Sequence, residues 1–545
     1  MTDKALLRAV PDPLSSRNAD KATWSPPTQD IVIGKDVLEL LSTSMYVDSL
    51  TIYREYTQNA ADAIDQAREQ GLLRQSEAGR VDIQIDVASR SIRIRDNGTG
   101  IPWRHFAERL SNLGASTKRG TRARGFRGVG RLAGLGYCQE LIFRSRAAEE
   151  SLVSELRWDC RALKTALRST GQGHHLAALV QDLVSVRRTS LQAYPDRFFE
   201  VELRGVVRHR DDRLLNPVAV GDYLAQVAPV PFAPEFKFGV DIAAALRPHV
   251  RLGDLEIRIN AADDPLYRPH RDQIPLGERE MESMTDLELF ELTSVDGGVA
   301  AVGWILHHGY TGAIPAGALI KGLRLRTGNM QIGDHALLED LFPEPRFNGW
   351  AVGEVHILDS KVLPNGRRDH FEQSVHFDNL LNQLAPTARE IARRCRQSSI
   401  GRKWLREFEL HKSAALETAR IIKRGGLSRA ARQAHADSVA KSVKGMQKVV
   451  NTRFLGDDTR AELKTQAEAA EARIQKLLGA DAREQDPLSR FKPQIRTAYQ
   501  HLISMIYDCS TNRSAASSLV DKILTRLTTE SNSEPSKAKR RRPAK

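Results

Sequence analysis

Residues 49–71 read SLTIYREYTQNAADAIDQAREQG. Ile52, Tyr53, Tyr56, Ala60, Ala63, Ile64 and Ala67 recur at helical spacing, and Gly71 ends the run, so the spacing predicts an amphipathic helix. Glu55, Asn59 and Asp62 stand at i, i+4 and i+7 and share one face of that helix. A carboxylate beside a carboxamide suits magnesium–phosphate work. The amide oxygen can ligate a hard cation, and the carboxylate can orient or deprotonate a water. The trio alone is weak evidence, because helices often carry acids on a wet face.

The next segment adds to it. Val81, Ile83, Ile85 and Val87 alternate, as do Ile92 and Ile94, and Ala88-Ser89-Arg90 joins the two runs as a hairpin. The second strand ends in Asp96-Asn97-Gly98-Thr99-Gly100-Ile101. An Asp at a strand end followed by two glycines puts a carboxylate where a flat ligand can approach the backbone. Such a carboxylate can accept from an exocyclic amine, which adenine offers. A plain Asx or glycine turn fits the same residues locally.

Residues 112–146 read NLGASTKRGTRARGFRGVGRLAGLGYCQELIFRSR. Gly125, Gly128 and Gly130 give GxxGxG, which is neither the dinucleotide fingerprint nor a Walker A loop. Glycines leading into a short helix after Gly130 can offer amide N–H groups to phosphates. Lys118, Arg119, Arg122, Arg124 and Arg127 would complement the charge, although composition alone gives only a basic loop.

Taken in order, Glu55-xxx-Asn59-xx-Asp62-Ala63, Asp96-x-Gly98-x-Gly100 and Gly125-xx-Gly128-x-Gly130 resemble the GHKL superfamily of ATPases. That superfamily includes the ninety-kilodalton heat-shock chaperones, MutL, type II topoisomerases, MORC proteins and histidine kinases. The resemblance implies a Bergerat-fold ATP site with ATP and Mg2+ as ligands. Asn59 would ligate magnesium, Asp96 would read the adenine amine, and Glu55 would be the general base. Asp62, Gly98, Gly100, Asn112 and Lys118 would join the nucleotide site, and Gly125, Gly128, Val129 and Gly130 would form a lid over the phosphates. Kinases of this superfamily generally lack the acid that Glu55 supplies. Asn112-Leu113-Gly114-xxx-Lys118-x-Gly120-Thr121 is similar to the chaperone lid, whereas Gly125-Phe126-Arg127-Gly128 is similar to MutL.

The middle of the chain bears on the branch. Residues 323–334 read LRLRTGNMQIGD, and residues 346–374 read RFNGWAVGEVHILDSKVLPNGRRDHFEQS. Val352, Glu354-Val355 and Ile357 predict a strand, Pro364-Asn365-Gly366 a turn, and Arg367-Arg368-Asp369 the opening of a helix. An acidic-hydrophobic strand followed by N-x-x-R-[DE] is similar to the chaperone middle domain, where a loop arginine reaches the γ-phosphate. By that resemblance Arg368 is the catalytic candidate and Arg367 its alternative. A surface ion pair is the plainer reading of both. One departure is that the strand Phe199–Leu203 lacks the Gly-Thr that precedes the last strand in those chaperones. The resemblance covers about residues 30–375, and the last 160 or so residues share none of it.

The 545-residue chain is 41% hydrophobic and 27% charged, as a soluble globular protein would be, and its length predicts about three to five domains. No apolar run of about 18 residues suggests a membrane span, and MTDKALLRAVPDPLSSRNAD has no apolar core of a secretory signal. Four scattered cysteines exclude a disulfide framework and fit a cytoplasmic setting. The adjacent pairs His174-His175 and His307-His308 diverge and suit no shared metal.

The expected organisation is α+β. It comprises an arm (1–29), a Bergerat-fold α/β sandwich ATPase domain (30–210), an α+β middle or transducer domain (211–385), a mostly helical region (386–530) and a disordered basic tail (531–545). Thr459 and Glu462 suggest a capping box, with Asp457 or Asp458 as cap. The stripe Leu463, Ala467, Ala470, Ile474, Leu477 and Leu478 that follows would pack within a bundle or between two subunits of a homodimer. The net charge of +13 and the tail KAKRRRPAK leave double-stranded DNA open as a partner beside a protein client. The favoured reading is a chaperone-like ATP-driven clamp. A MutL- or MORC-like DNA-acting ATPase and a non-catalytic ATP-binding scaffold are its rivals, and Glu55 argues against the last.

Overall fold

The computed structural model describes residues 48–112, 130–168, 176–190, 193–208, 211–250, 252–253, 255–276, 281–479 and 486–530. The arm at 1–29, the lid positions Lys118, Gly125, Gly128 and Val129, the pair His174-His175 and the basic tail lie outside the described residues. The fold is α+β and falls into two compact units, residues 1–224 with 254–266, and residues 225–253 with 267–545. Among the described residues no helix is long and apolar enough to cross a membrane.

The first unit is built on a seven-stranded sheet. In chain order its strands are β1 (Gly79–Asp86), β2 (Ser91–Asp96), β3 (Glu140–Arg146), β4 (Val153–Asp159), β5 (Val184–Thr189), β6 (Phe198–Arg204) and β7 (Leu255–Ile259), arranged β5-β4-β3-β6-β2-β1-β7. The alternation read in the sequence sorts its two faces. Val81, Ile83, Ile92, Ile94, Val201, Leu203, Leu141 and Phe143 are buried on one. Helix α1 (Thr51–Glu69) covers that face with Ile52, Tyr53, Tyr56, Ala60, Ala61, Ile64 and Ala67. The helix ends as expected: Gly71 takes φ +72°, and Leu72 N–H reaches back to the Ala67 carbonyl at 2.8 Å.

The opposite face carries a ladder of charge. Arg144 donates to Glu155, Glu200 and Glu202 at 2.7, 2.8 and 2.6 Å, Arg95 bonds Glu200, and Arg187 bonds Glu155. Each of these three buried glutamates therefore meets a guanidinium on a neighbouring strand.

The second unit has a five-stranded sheet. Its strands are β8 (Asp286–Thr293), β9 (Val299–His307), β10 (Gly322–Thr327), β11 (Met330–Ile332) and β12 (Val352–Ile357), in the order β8-β9-β12-β10-β11. The strand expected around Glu354 is β12. Glu354 is wholly buried there and is gripped by Arg268 Nη1 at 2.6 and 2.5 Å and by Arg326 Nε at 2.7 Å. Burial alone would push its carboxyl up, but Arg268 and Arg326 hold it well below the usual carboxylate range.

The long helix α2 (Val375–Arg424) starts on Ser374, whose hydroxyl accepts from Phe377 N–H at 3.2 Å. Its first half buries Phe377, Leu380, Leu384 and Ile391 in the core cluster that also holds Leu323 and Val355. Its second half buries Phe408, Ala415 and Ala419 against helices α3 (Arg429–Val450) and α4 (Asp457–Leu478).

Four expectations are corrected. The 385/386 boundary falls inside α2, because one continuous helix serves both the sheet and the bundle. The break placed at 210/211 falls at Leu224, and residues 254–266 return to the first unit because β7 completes its sheet. No helix opens at Arg367: Pro364 and Phe371 bridge across a tight loop, and the helix waits for the cap at Ser374. Helix α4 is preceded by Gly456 with no side-chain cap, so Asp457 and Asp458 lie inside its first turn. The stripe Leu463, Ala467, Ala470 and Ile474 is buried against the chain's own α2 and α3.

Strand β7 pairs parallel to β1, with Ile257 opposite Val81 and wholly buried. Ile257→Ala should therefore weaken the first unit by about 2–5 kcal/mol. Faster amide exchange at Val81 and Ile83 would register this, and unchanged exchange there would contradict the pairing.

Candidate functional site

Helix α1 presents Glu55, Asn59 and Asp62 as the sequence requires. Glu55 and Asp62 are buried and Asn59 half-buried, while the apolar residues of the same helix anchor it to the sheet. Arg54 lies 3.6 Å from Glu55, and both side chains are buried.

The Asp96–Gly100 turn comes directly against this helix. Thr99 N–H donates to the Ala63 carbonyl at 3.2 Å. A Cβ on Gly98 would lie 2.6 Å from Ala63 Cβ, so only glycine lets the turn and the helix meet. Gly100 has φ +65°, and a Cβ there would overlap the Arg146 carbonyl oxygen. The second residue of the turn is structural, since Asn97 accepts from Arg80 N–H at 2.8 Å through its side-chain oxygen.

Asp96 ends β2 on the helix-covered face and is 5% exposed. Its Oδ1 accepts from Gly98 N–H at 2.8 Å. Burial pushes its carboxyl up from 3.8 to about 7, against the opposing pull of Gly98 N–H and the Arg197 charge. Around neutrality this group changes between a donor and a pure acceptor.

Gly130 opens a 3-10 helix, Gly130–Gly136, where a short helix was expected. A Cβ there would overlap Oε2 of Glu55 and lie 3.1 Å from its Cδ. The carboxylate is thus laid directly on the backbone that follows the glycine-rich segment. The same 3-10 helix is fixed to α1 by Gly134 N–H, which donates to the Tyr56 hydroxyl at 2.9 Å. Asn112 is exposed, and its carbonyl accepts from Arg131 at 2.7 Å, so the described residues on either side of 113–129 are tied together.

The structure thus brings Glu55, Asn59, Asp62, Asp96, Gly98, Gly100 and Gly130 onto α1 and the segments packed on it. Arg367 and Arg368 belong to the second unit, in the loop between Pro364 and Phe371. Arg368 adopts φ +59°, and its carbonyl accepts from Gly333 N–H at 2.9 Å. A cavity of about 570 Å³ lined by Arg402, Phe454 and neighbours also lies in the second unit and includes none of the candidate residues.

Sequence reasoning missed two groups. Arg197 donates to the carbonyls of Asn97 and Gly98 at 2.8 and 2.5 Å and to that of Leu72 at 3.0 Å. Ser145 accepts from Ile101 N–H at 2.7 Å and donates to the Phe198 carbonyl at 3.2 Å. Strand register marks Ser145, since Phe199 pairs with Asp96 on one side and with Ser145 on the other, whereas no local spacing marks Arg197. The residue opposite Asp96 is therefore Phe199, which has no hydroxyl to offer a ligand.

Asp96→Asn separates two roles. Because the folded group titrates above its unfolded value, the ligand-free wild type loses stability as pH rises from about 4 to about 7. The variant should escape this loss and be more stable at pH 8, by up to roughly 4 kcal/mol. Urea unfolding at pH 5 and pH 8 measures it, and a variant less stable at both values would contradict the burial argument.

Residues 55–177 match the family profile described as histidine kinase-, DNA gyrase B- and HSP90-like ATPase. The chaperone protein HtpG of Coxiella burnetii is 30% identical over 176 residues, covering 31% of this chain and 23% of the relative. HtpG of Burkholderia cenocepacia is 29% identical over 192 residues, covering 30% of each chain. HtpG of Idiomarina loihiensis is 28% identical over 210 residues, covering 34% of this chain and 31% of the relative. The matches thus span between about a quarter and a third of the relatives' own length. Residues 55–177 of this chain thus resemble GHKL-type ATPase domains, those of the Hsp90-like proteins among them.

Proposed function

We propose that the chain binds and hydrolyses ATP and uses the cycle as a chaperone-like clamp on a protein client. The observation that carries this is the placement of a buried carboxylate, Glu55, on the Gly130 backbone, on the same helix that packs on the Asp96 turn. In its ionised form Asp96 accepts from the exocyclic amine of adenine. The glycines at 98 and 100 leave the backbone bare where the base must approach. Glu55 orients and deprotonates the water that attacks the γ-phosphorus. The donor set suits magnesium: Asn59 offers a neutral amide oxygen, which leaves most of the coordination to phosphates and water. The bound Mg2+ would neutralise phosphate charge. Arg368 is the candidate for stabilising the transition-state charge, supported by its place in a loop pinned on both sides, at Gly333 and through the Pro364–Phe371 bridge.

A second reading, an ATPase that acts on double-stranded DNA, is favoured by one observation. Residues 386–545 hold 34 Lys and Arg against 17 Asp and Glu, while the preceding 385 residues are slightly acidic. A concentrated positive charge of this kind attracts phosphate backbones in a salt-dependent way.

Glu55→Ala should bind ATP with near wild-type affinity and hydrolyse it about 10²–10⁴-fold more slowly. Turnover by both proteins with and without duplex DNA tests the two readings together. Loss of hydrolysis with retained binding supports the site, and DNA stimulation that fades with salt would favour the second reading. Equal turnover by wild type and variant would remove Glu55 from the mechanism. Gly130→Ala should lower turnover more than affinity, because the added methyl displaces the Glu55 carboxylate; single-turnover kinetics beside an equilibrium titration reads the split.

A further inference from the structure

We propose that Arg197 is a positioning residue for nucleobase selection: by holding the peptide that carries Gly98 it fixes the direction in which Asp96 meets an exocyclic amine. The inference deepens the nucleotide reading and rests on it. It stands on how one dipeptide is shared. Gly98 gives its N–H to Asp96 at 2.8 Å and its carbonyl to Arg197 at 2.5 Å. The adjacent Asn97 carbonyl goes to the same guanidinium nitrogen at 2.8 Å. The second terminal nitrogen reaches the Leu72 carbonyl at 3.0 Å, in the segment that leaves α1. One planar fork therefore ties the segment before β6, the Asp96 turn and the end of the nucleotide helix. A guanidinium suits this task because its donors are fixed in one plane, which a lysine ammonium cannot reproduce.

The chemistry favours a role beyond packing. The carbonyls that Arg197 engages belong to the turn whose N–H orients the Asp96 carboxylate, so loosening them frees that carboxylate to rotate. The charged groups around Asp96 come from several elements. Arg197 precedes β6, Glu77 acts on Arg197 from the segment before β1, and Asp62 lies on α1 one residue from Ala63, which packs on Gly98. Arg197 is the cation that favours the ionised Asp96. Its removal should move the protonation of Asp96 to higher pH.

The test compares ADP with IDP, which carries an oxygen where adenine carries its amine, by equilibrium titration of the full chain from pH 6 to pH 9. Wild type should prefer ADP, with the preference growing as pH rises through about 7. Arg197→Gln should lose roughly tenfold or more of that preference at pH 7 and shift its midpoint upward. Arg197→Lys, which keeps the charge without the fork, should hold the wild-type midpoint while losing part of the preference. It also serves if the glutamine variant fails to fold. Wild-type selectivity and midpoint in Arg197→Lys and Arg197→Gln alike would overturn the role of Arg197 and leave the nucleotide reading intact. A wild type that binds neither nucleotide would overturn the nucleotide reading and this proposal with it.

Discussion

The first unit depends on how closely the Asp96 turn approaches helix α1. The approach is limited by one missing atom, since the place that a Cβ on Gly98 would take lies 2.6 Å from the methyl of Ala63. Because both residues are small, a backbone hydrogen bond from Thr99 to Ala63 can close the gap. The acidic face of α1 and the carboxyl of Asp96 then become parts of one surface. A larger residue at either position would push the strand end outward and separate them. The glycine thus acts through distance, and its conformational freedom is secondary here. At Gly100, with φ +65° and the Arg146 carbonyl against it, both constraints apply together.

The two units solve the problem of buried charge in the same way. In the first, Arg144 sits among three buried glutamates on the sheet face turned away from α1. In the second, Glu354 sits between two arginines inside the core. Neither arrangement is strong evidence of added stability, since a well-packed apolar replacement can do as well. Both fix register, because a strand shifted by one residue would send its charged partner to the other face. At Asp96 the protein does the opposite. The carboxyl is buried with one N–H and a nearby guanidinium, and its proton affinity rises accordingly. That imbalance is a cost in the ligand-free protein that a bound amine would relieve.

Much of the site was legible because its residues lie on local patterns. Helical spacing located Glu55, Asn59 and Asp62, alternation located β1 and β2, and the glycines after Asp96 marked the turn. The illegible parts are those fixed by distant partners. Arg197 is about a hundred residues from the turn it holds, and no local spacing connects them. The loop from Pro364 to Phe371 misleads for a related reason. Arg367-Arg368-Asp369 reads as the start of a helix, but the Pro364–Phe371 bridge and the Asn365–His370 hydrogen bond close a tight turn first. The stripe on α4 was correctly seen as apolar, yet whether it faces its own chain or another is decided by α2 and α3.

Strand β7 has a consequence for how the protein is made. Its edge of the seven-stranded sheet comes from residues 255–259, after the chain has already left for the second unit at residue 225. During synthesis the first unit emerges with β1 as an open edge, and that edge waits for about thirty further residues before its parallel partner is available. Parallel pairing cannot be closed by a hairpin, so the wait is set by chain order and not by local turn formation. For that interval β1 offers unpaired backbone groups to any other strand in reach. The charges along it, Arg80, Asp82 and Asp86, alternate with the buried Val81, Ile83 and Ile85, and so discourage stacking of identical nascent chains on that edge. The route of the chain thus makes completion of the first unit a late event, tied to delivery of the first residues of its neighbour.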